Sequence, residues 1–144
     1  MRHRISTQID IPAGIDDVWH HLIGIEAYAQ WNPFIVRAGG DVEVGGRLEM
    51  RMEPPGGSAM TFRPRITELT HIAVLEWLGH LGVPGVFDGR HRFELHAVES
   101  GTRLIHSETF SGVLVPFLRR TLDGPTRAGF LAMNEALAER VAKA

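Results

Sequence analysis

The segment RHRISTQIDI at residues 2–11 alternates polar and apolar side chains, with Ile5, Thr7, Ile9 and Ile11 on one side, and predicts a strand that Pro12 ends. The period then lengthens. In AGIDDVWHHL, Ile15, Val18, Trp19 and Leu22 fall on one helical stripe, with Asp16 and Asp17 near the positive end of the helix dipole. Gly24 interrupts this helix and IEAYAQW fits a second short one. That second helix stops because Pro33 disfavours helical geometry at Asn32.

From Phe34 to Phe110 the pattern is mostly of period two, cut by the turn clusters AGGD, VGG, PPGG, LGVPG and ESG. Strands are expected near 33–38, 46–53, 59–69, 72–80, 86–98 and 102–111. RLEMRME puts Leu48, Met50 and Met52 on one side and Arg47, Glu49, Arg51 and Glu53 on the other, the pattern of an antiparallel sheet with one wet face. Arg63, Arg65, Arg90, Arg92 and Glu94 share that outward face and read as solvated cross-strand neighbours. After Gly112 the chain is helical, with Leu114, Phe117, Leu118, Leu122, Phe130, Met133, Leu137 and Val141 spaced by three, four or a multiple of turns, and a kink or break at Gly124 and Pro125.

The order is thus one strand, two small helices, six strands and a long terminal helix. This is an α+β chain in which a curved antiparallel sheet of about seven strands wraps the terminal helix. At 144 residues and 44% hydrophobic content, a single domain over 1–144 is expected. With 15 basic and 17 acidic residues there is no concentrated positive footprint, so nucleic acid is not an expected partner. The absence of cysteine excludes disulfides and thiolate chemistry. No run approaches the roughly 18 apolar residues of a membrane span, and MRHRISTQIDIPAG lacks the apolar centre of a signal peptide. A cytoplasmic protein without stable membrane insertion is expected.

Chemistry concentrates in TRLIHSETF at 102–110, where Leu104, His106, Glu108 and Phe110 share one face of a strand. A tightly packed core disfavours such a row, because a buried ionisable group needs partners or loses its charge. A cavity accommodates it. If the preceding hairpin loop is even and centred between Ser100 and Gly101, Leu95 pairs with His106, Phe93 with Glu108 and His91 with Phe110, leaving His91 and Glu108 diagonal neighbours. His91, His106 and Glu108 would then converge as candidate acid/base residues. The plainer reading is a polar patch that orients a ligand or wets the cavity. A facial metal triad of two histidines and a carboxylate is a third reading, set aside because a single spacing of two fixes no geometry. No metal site is expected.

Trp31, Phe62, Trp77, Phe87, Phe93, Phe110 and Phe130 are candidate walls for a flat apolar ligand, with Met50 and Met52 as adaptable packing and Asn32 as a polar contact. Each is also an ordinary core or turn residue type. No G-x-S-x-G elbow or P-loop occurs, and AGGDVEVGG lacks the spacing of a dinucleotide turn, so no cofactor is expected.

The element order, together with IDIPAGIDDVWHHL, YAQWNPFI, GRHRFELHAVESGTRLIHSETFSGVL and the terminal MNEALAERV, resembles the polyketide cyclase/dehydrase and lipid-transport group. That group lies within the START and birch-pollen-allergen superfamily (SRPBCC). Its anchors here are Val18-Trp19, Trp31-Asn32-Pro33 and the Glu108-Phe110-Gly112 spacing. The resemblance implies a helix-grip fold with a deep apolar cavity between sheet and C-terminal helix, and three functions: carriage of a lipid, sterol-like or aromatic polyketide-like molecule; cofactor-independent cyclisation or dehydration by His/Glu acid-base chemistry; or a cochaperone-like interaction module. Fold alone does not choose among them.

Overall fold

The computed structural model describes residues 2–144. Strand β1 (Arg2–Ile11) is followed by helix α1 (Ile15–Ile23) and a 3-10 helix (Ile25–Gln30). Strands β2 (Ile35–Gly40), β3 (Leu48–Met52), β4 (Met60–Phe62), β5 (Arg65–Thr70), β6 (Val74–His80), β7 (Asp88–Val98) and β8 (Gly101–Ser111) come next. Helix α2 (Val115–Thr121), a π-helical segment (Leu122–Thr126) and helix α3 (Arg127–Lys143) complete the chain. The expected α+β helix-grip order of elements is present. Where one strand was expected over 59–69 there are two, because Pro64 has no N–H to donate to a ladder and its backbone carbonyl instead accepts from the Leu48 N–H.

All strand pairs are antiparallel. A five-stranded sheet runs β1-β8-β7-β6-β5 and a three-stranded sheet runs β2-β3-β4. A bridge between Arg47 and Arg65, with hydrogen bonds exchanged between Ile66 and the Gly45-Gly46 turn, joins them at a corner. The concave side holds the core, where Ile5, Leu48, Met50, Leu75, Phe93, Leu95 and Leu104 meet Phe130, Met133, Leu137 and Val141 of α3. The convex side carries ion pairs: Arg90 and Arg92 both donate to Glu76, and Arg92 also to Glu68. Burial by itself would raise the Glu76 carboxyl, but hydrogen bonds from Thr67, Arg92 and Arg90 hold it below the usual carboxylate range.

Pro125 interrupts the terminal helix as its position foretells. Lacking an N–H and crowding the preceding turn, it widens the helix into a π segment, so α2 and α3 are separate lengths of one continuous helical run. This places Leu118, Leu122 and Pro125 over the end of the sheet, while α3 fills its centre.

Candidate functional site

The β7–β8 hairpin turns through Glu99 and Ser100, pairing Val98 with Gly101. Its loop is even, so the inward row holds, but its centre lies one residue earlier than the sequence suggests and the register moves by two. His91 stands directly opposite Glu108, and Phe93 opposite His106. The consequence is a closer set of contacts than a diagonal arrangement provides. Nδ1 of His91 lies 3.0 Å from Oε1 of Glu108, and its Nε2 lies 2.7 Å from Nε2 of His106.

The chain of contacts continues inward. Nδ1 of His106 donates to Oδ1 of Asn134 at 2.7 Å, Nδ2 of Asn134 donates to Oγ1 of Thr7 at 2.9 Å, and the Thr7 hydroxyl donates to the backbone carbonyl of His106 at 2.9 Å. β1 supplies Thr7 opposite His106, and α3 supplies Asn134. Both histidines are fully buried, whereas the Glu108 side chain keeps 12% exposure. Aromatic rings hold the imidazoles in place: Phe130 stacks on His106 at 4.2 Å with planes 1° apart, and Trp77 stacks on His91 at 4.9 Å. Burial pushes His106 well below the ordinary histidine range, the adjacent His91 pushes it the same way, and the Asn134 hydrogen bond opposes both.

Glu108 opens onto a cavity of about 540 Å³, within the usual range for small-molecule sites. Its walls are Met52, Met60 and Phe62 from β3 and β4, Trp77 and Gly89 from β6 and β7, Phe110 from β8, and Leu118, Leu122 and Pro125 from the α2 end. Phe34, Leu81 and Phe87 add further apolar surface. Glu108 is the one ionisable side chain on this wall among the described residues.

Of the residues singled out in the sequence, Met52, Phe62, Trp77, Phe87, Glu108 and Phe110 line the cavity. Met50, Phe93 and Phe130 lie in the core instead. Phe93 and Phe130 flank the histidines, and His91 and His106 reach the cavity only through Glu108. Trp31 packs edge-on against Tyr28, away from the cavity. Asn32 is a turn residue whose Oδ1 accepts the Phe34 and Ile35 N–H groups at 2.9 Å each. The long helix contributes to the cavity through α2 and the π segment, not through Phe130.

Two members of the buried chain, Thr7 and Asn134, were not among the expected site residues. Each carries a signal, since Thr7 is the polar member of an apolar strand row and Asn134 lies beside Phe130, Met133 and Leu137 on an apolar helix stripe. No three His, Asp or Glu side chains among the described residues are grouped so as to hold a metal ion. No described helix is long and apolar enough to cross a membrane.

Solved structures with this architecture include the Zhui aromatase/cyclase from Streptomyces sp. R1128, at 14% identity and a TM-score of 0.81 over 99% of this chain and 95% of that one. The di-domain ARO/CYC StfQ from the steffimycin biosynthetic pathway matches at 17% identity and a TM-score of 0.72. All of this chain is covered in that match but only 53% of StfQ, so the chain spans about half of that protein. Ara h 8.0201 matches at 14% identity and a TM-score of 0.70 over the whole of both chains. At these identities the likeness is one of fold. No curated protein matches the sequence. Residues 2–144 match the family described as polyketide cyclase / dehydrase and lipid transport, and the chain belongs to that family.

Proposed function

We propose that the protein binds a small hydrophobic molecule in the cavity between the sheets and the α2 end of the terminal helix. The observation that carries this reading is a space of about 540 Å³ walled by aromatic and aliphatic side chains with one carboxylate, Glu108, to fix orientation. Lipids, sterol-like molecules and aromatic polyketide-like molecules fit the apolar lining. Membership of a family described by both cyclase/dehydrase and lipid transport supports the same class of ligand.

A second reading, cofactor-independent cyclisation or dehydration, is favoured by the buried histidines behind Glu108. In a dehydration, Glu108 would take a proton from a carbon acidified by a neighbouring carbonyl and return it to the departing hydroxyl, releasing water. His91 would stabilise whichever charge state Glu108 holds.

Native mass spectrometry of the purified protein, followed by organic extraction, tests the first reading. A stoichiometric apolar molecule supports it. An empty protein that also fails to take up apolar fluorescent probes overturns it. With the extracted class in hand, Glu108→Gln separates the readings: binding kept and turnover abolished supports catalysis, whereas unchanged turnover removes Glu108 from any acid/base role.

A further inference from the structure

We infer that Thr7 and Asn134 set the direction of the buried hydrogen-bond chain. They thereby place its one transferable proton between His91 and Glu108 and leave Oε2 of Glu108 as a standing acceptor for an apolar ligand that carries a hydroxyl group. The ligand class rests on the reading of the cavity as a binding site; the direction of the chain does not.

The direction follows from donor and acceptor arithmetic. A backbone carbonyl can only accept, so the Thr7 hydroxyl must donate its proton to the carbonyl of His106. Oγ1 of Thr7 therefore accepts from Asn134, which must present its NH2 there and its Oδ1 to His106. Nδ1 of His106 must then carry a proton. Buried and held neutral, His106 leaves its Nε2 bare, and at 2.7 Å this nitrogen accepts from Nε2 of His91. Every proton is now assigned except at the last contact, Nδ1 of His91 to Oε1 of Glu108 at 3.0 Å. Two bare acceptors at that distance would repel, so one proton lies between them. It belongs either to an imidazolium facing a carboxylate or to a carboxylic acid facing a neutral imidazole.

In both states Oε1 is engaged with His91, and Oε2 carries no proton. Among the described residues none bonds Oε2, which lies against Gly89 on the cavity wall. A ligand reaching it must bring an O–H or N–H; an ether or ester oxygen would meet a second lone pair and leave the acceptor unpaired. Thr7 and Asn134 are positioning residues in this scheme, since neither touches the cavity.

Two measurements test it. Imidazole 15N NMR of the intact protein is expected to show His106 as the neutral tautomer protonated on Nδ1, and Thr7→Val, which frees the Asn134 amide, is expected to populate both tautomers. A His106 protonated on Nε2 in the wild-type protein, or an unchanged tautomer in a folded Thr7→Val variant, would overturn the assigned direction.

The second measurement compares calorimetric affinities for 2-naphthol and 2-methoxynaphthalene. The hydroxyl probe is expected to bind about tenfold more tightly. Glu108→Gln is expected to keep that preference, because its amide NH2 donates to bare Nδ1 of His91 and its carbonyl faces the cavity; Glu108→Leu is expected to abolish it. Equal affinities in the wild-type protein, or a preference reversed by Gln, would overturn the ligand class. Failure of both probes to bind would sink the ligand class together with the cavity reading, while the tautomer result stands or falls separately.

Discussion

Oε2 of Glu108 occupies the space that a side chain on Gly89 would fill. A Cβ at position 89 would overlap that oxygen and lie 3.3 Å from Cδ of the same carboxylate. The position of Glu108 against His91 therefore depends on a residue with no side chain in the neighbouring strand. This requirement is steric and local, because Gly89 is not among the glycines with positive φ.

Gly89→Ala should displace the Glu108 carboxylate into the cavity and break its contact with His91. Replacing a strand glycine by alanine ordinarily stabilises by about 0.5–1 kcal/mol. Here the unpaired His91 nitrogen should reverse the sign and give a net loss of about 1–2 kcal/mol. Chemical denaturation of Gly89→Ala in the wild-type and Glu108→Ala backgrounds checks this. The alanine should destabilise the first and be neutral or stabilising in the second, and equal effects in both would show that the two residues are not coupled.

The buried histidine ties stability to pH with a definite sign. His106 titrates well below 6.5 in the folded protein because burial disfavours its charged form, and it returns to about 6.5 when the chain unfolds. Above that value the folded and unfolded chains agree at this site, and its contribution is fully present. As pH falls below 6.5 the unfolded chain takes up a proton that the folded chain refuses. Stability should then decline by up to about 1.4 kcal/mol per pH unit until the folded value is reached. Urea denaturation between pH 7.5 and 5 should show this slope, and His106→Phe, which keeps a ring against Phe130, should flatten it. Identical slopes in the two proteins would mean that His106 is not the group responsible.

Much of this site is legible in the alternation of two strands. The row His91, Phe93, Leu95 against Leu104, His106, Glu108, Phe110 fixes which side chains face inward, and any even hairpin preserves it. The register is not legible, since Glu99, Ser100 and Gly101 allow either of two turn centres; the observed one makes His91 and Glu108 direct partners. Thr7 and Asn134 lie 99 and 28 residues from His106, so only the closure of β1 and α3 around β8 brings them together. The cavity wall is less legible still. Met52 and Phe62 line it while Met50 and Phe93 are buried in the core, although Met50 and Met52 share one strand face, and periodicity carries no information on where along a strand the core gives way to the cavity.

The same dependence on close approach governs the boundary between core and cavity at Gly129, which is buried on α3 against Phe34. In an exposed helix, glycine to alanine would stabilise by about 1 kcal/mol. A Cβ at position 129 would overlap the Phe34 ring, which is 1% exposed and leans on Phe130 at 5.6 Å. The ring packs against Phe130 and also lines the cavity, so displacement into the cavity is the expected response. Gly129→Ala should therefore destabilise the protein by about 1–3 kcal/mol through overpacking. It should also weaken binding of an apolar fluorescent probe, because Phe34 would take up ligand space. Adding Phe34→Leu should restore probe binding by making room for the new methyl group. If Gly129→Ala stabilises the protein and leaves probe affinity intact, α3 has room to retreat and Phe34 does not set the inner limit of the cavity.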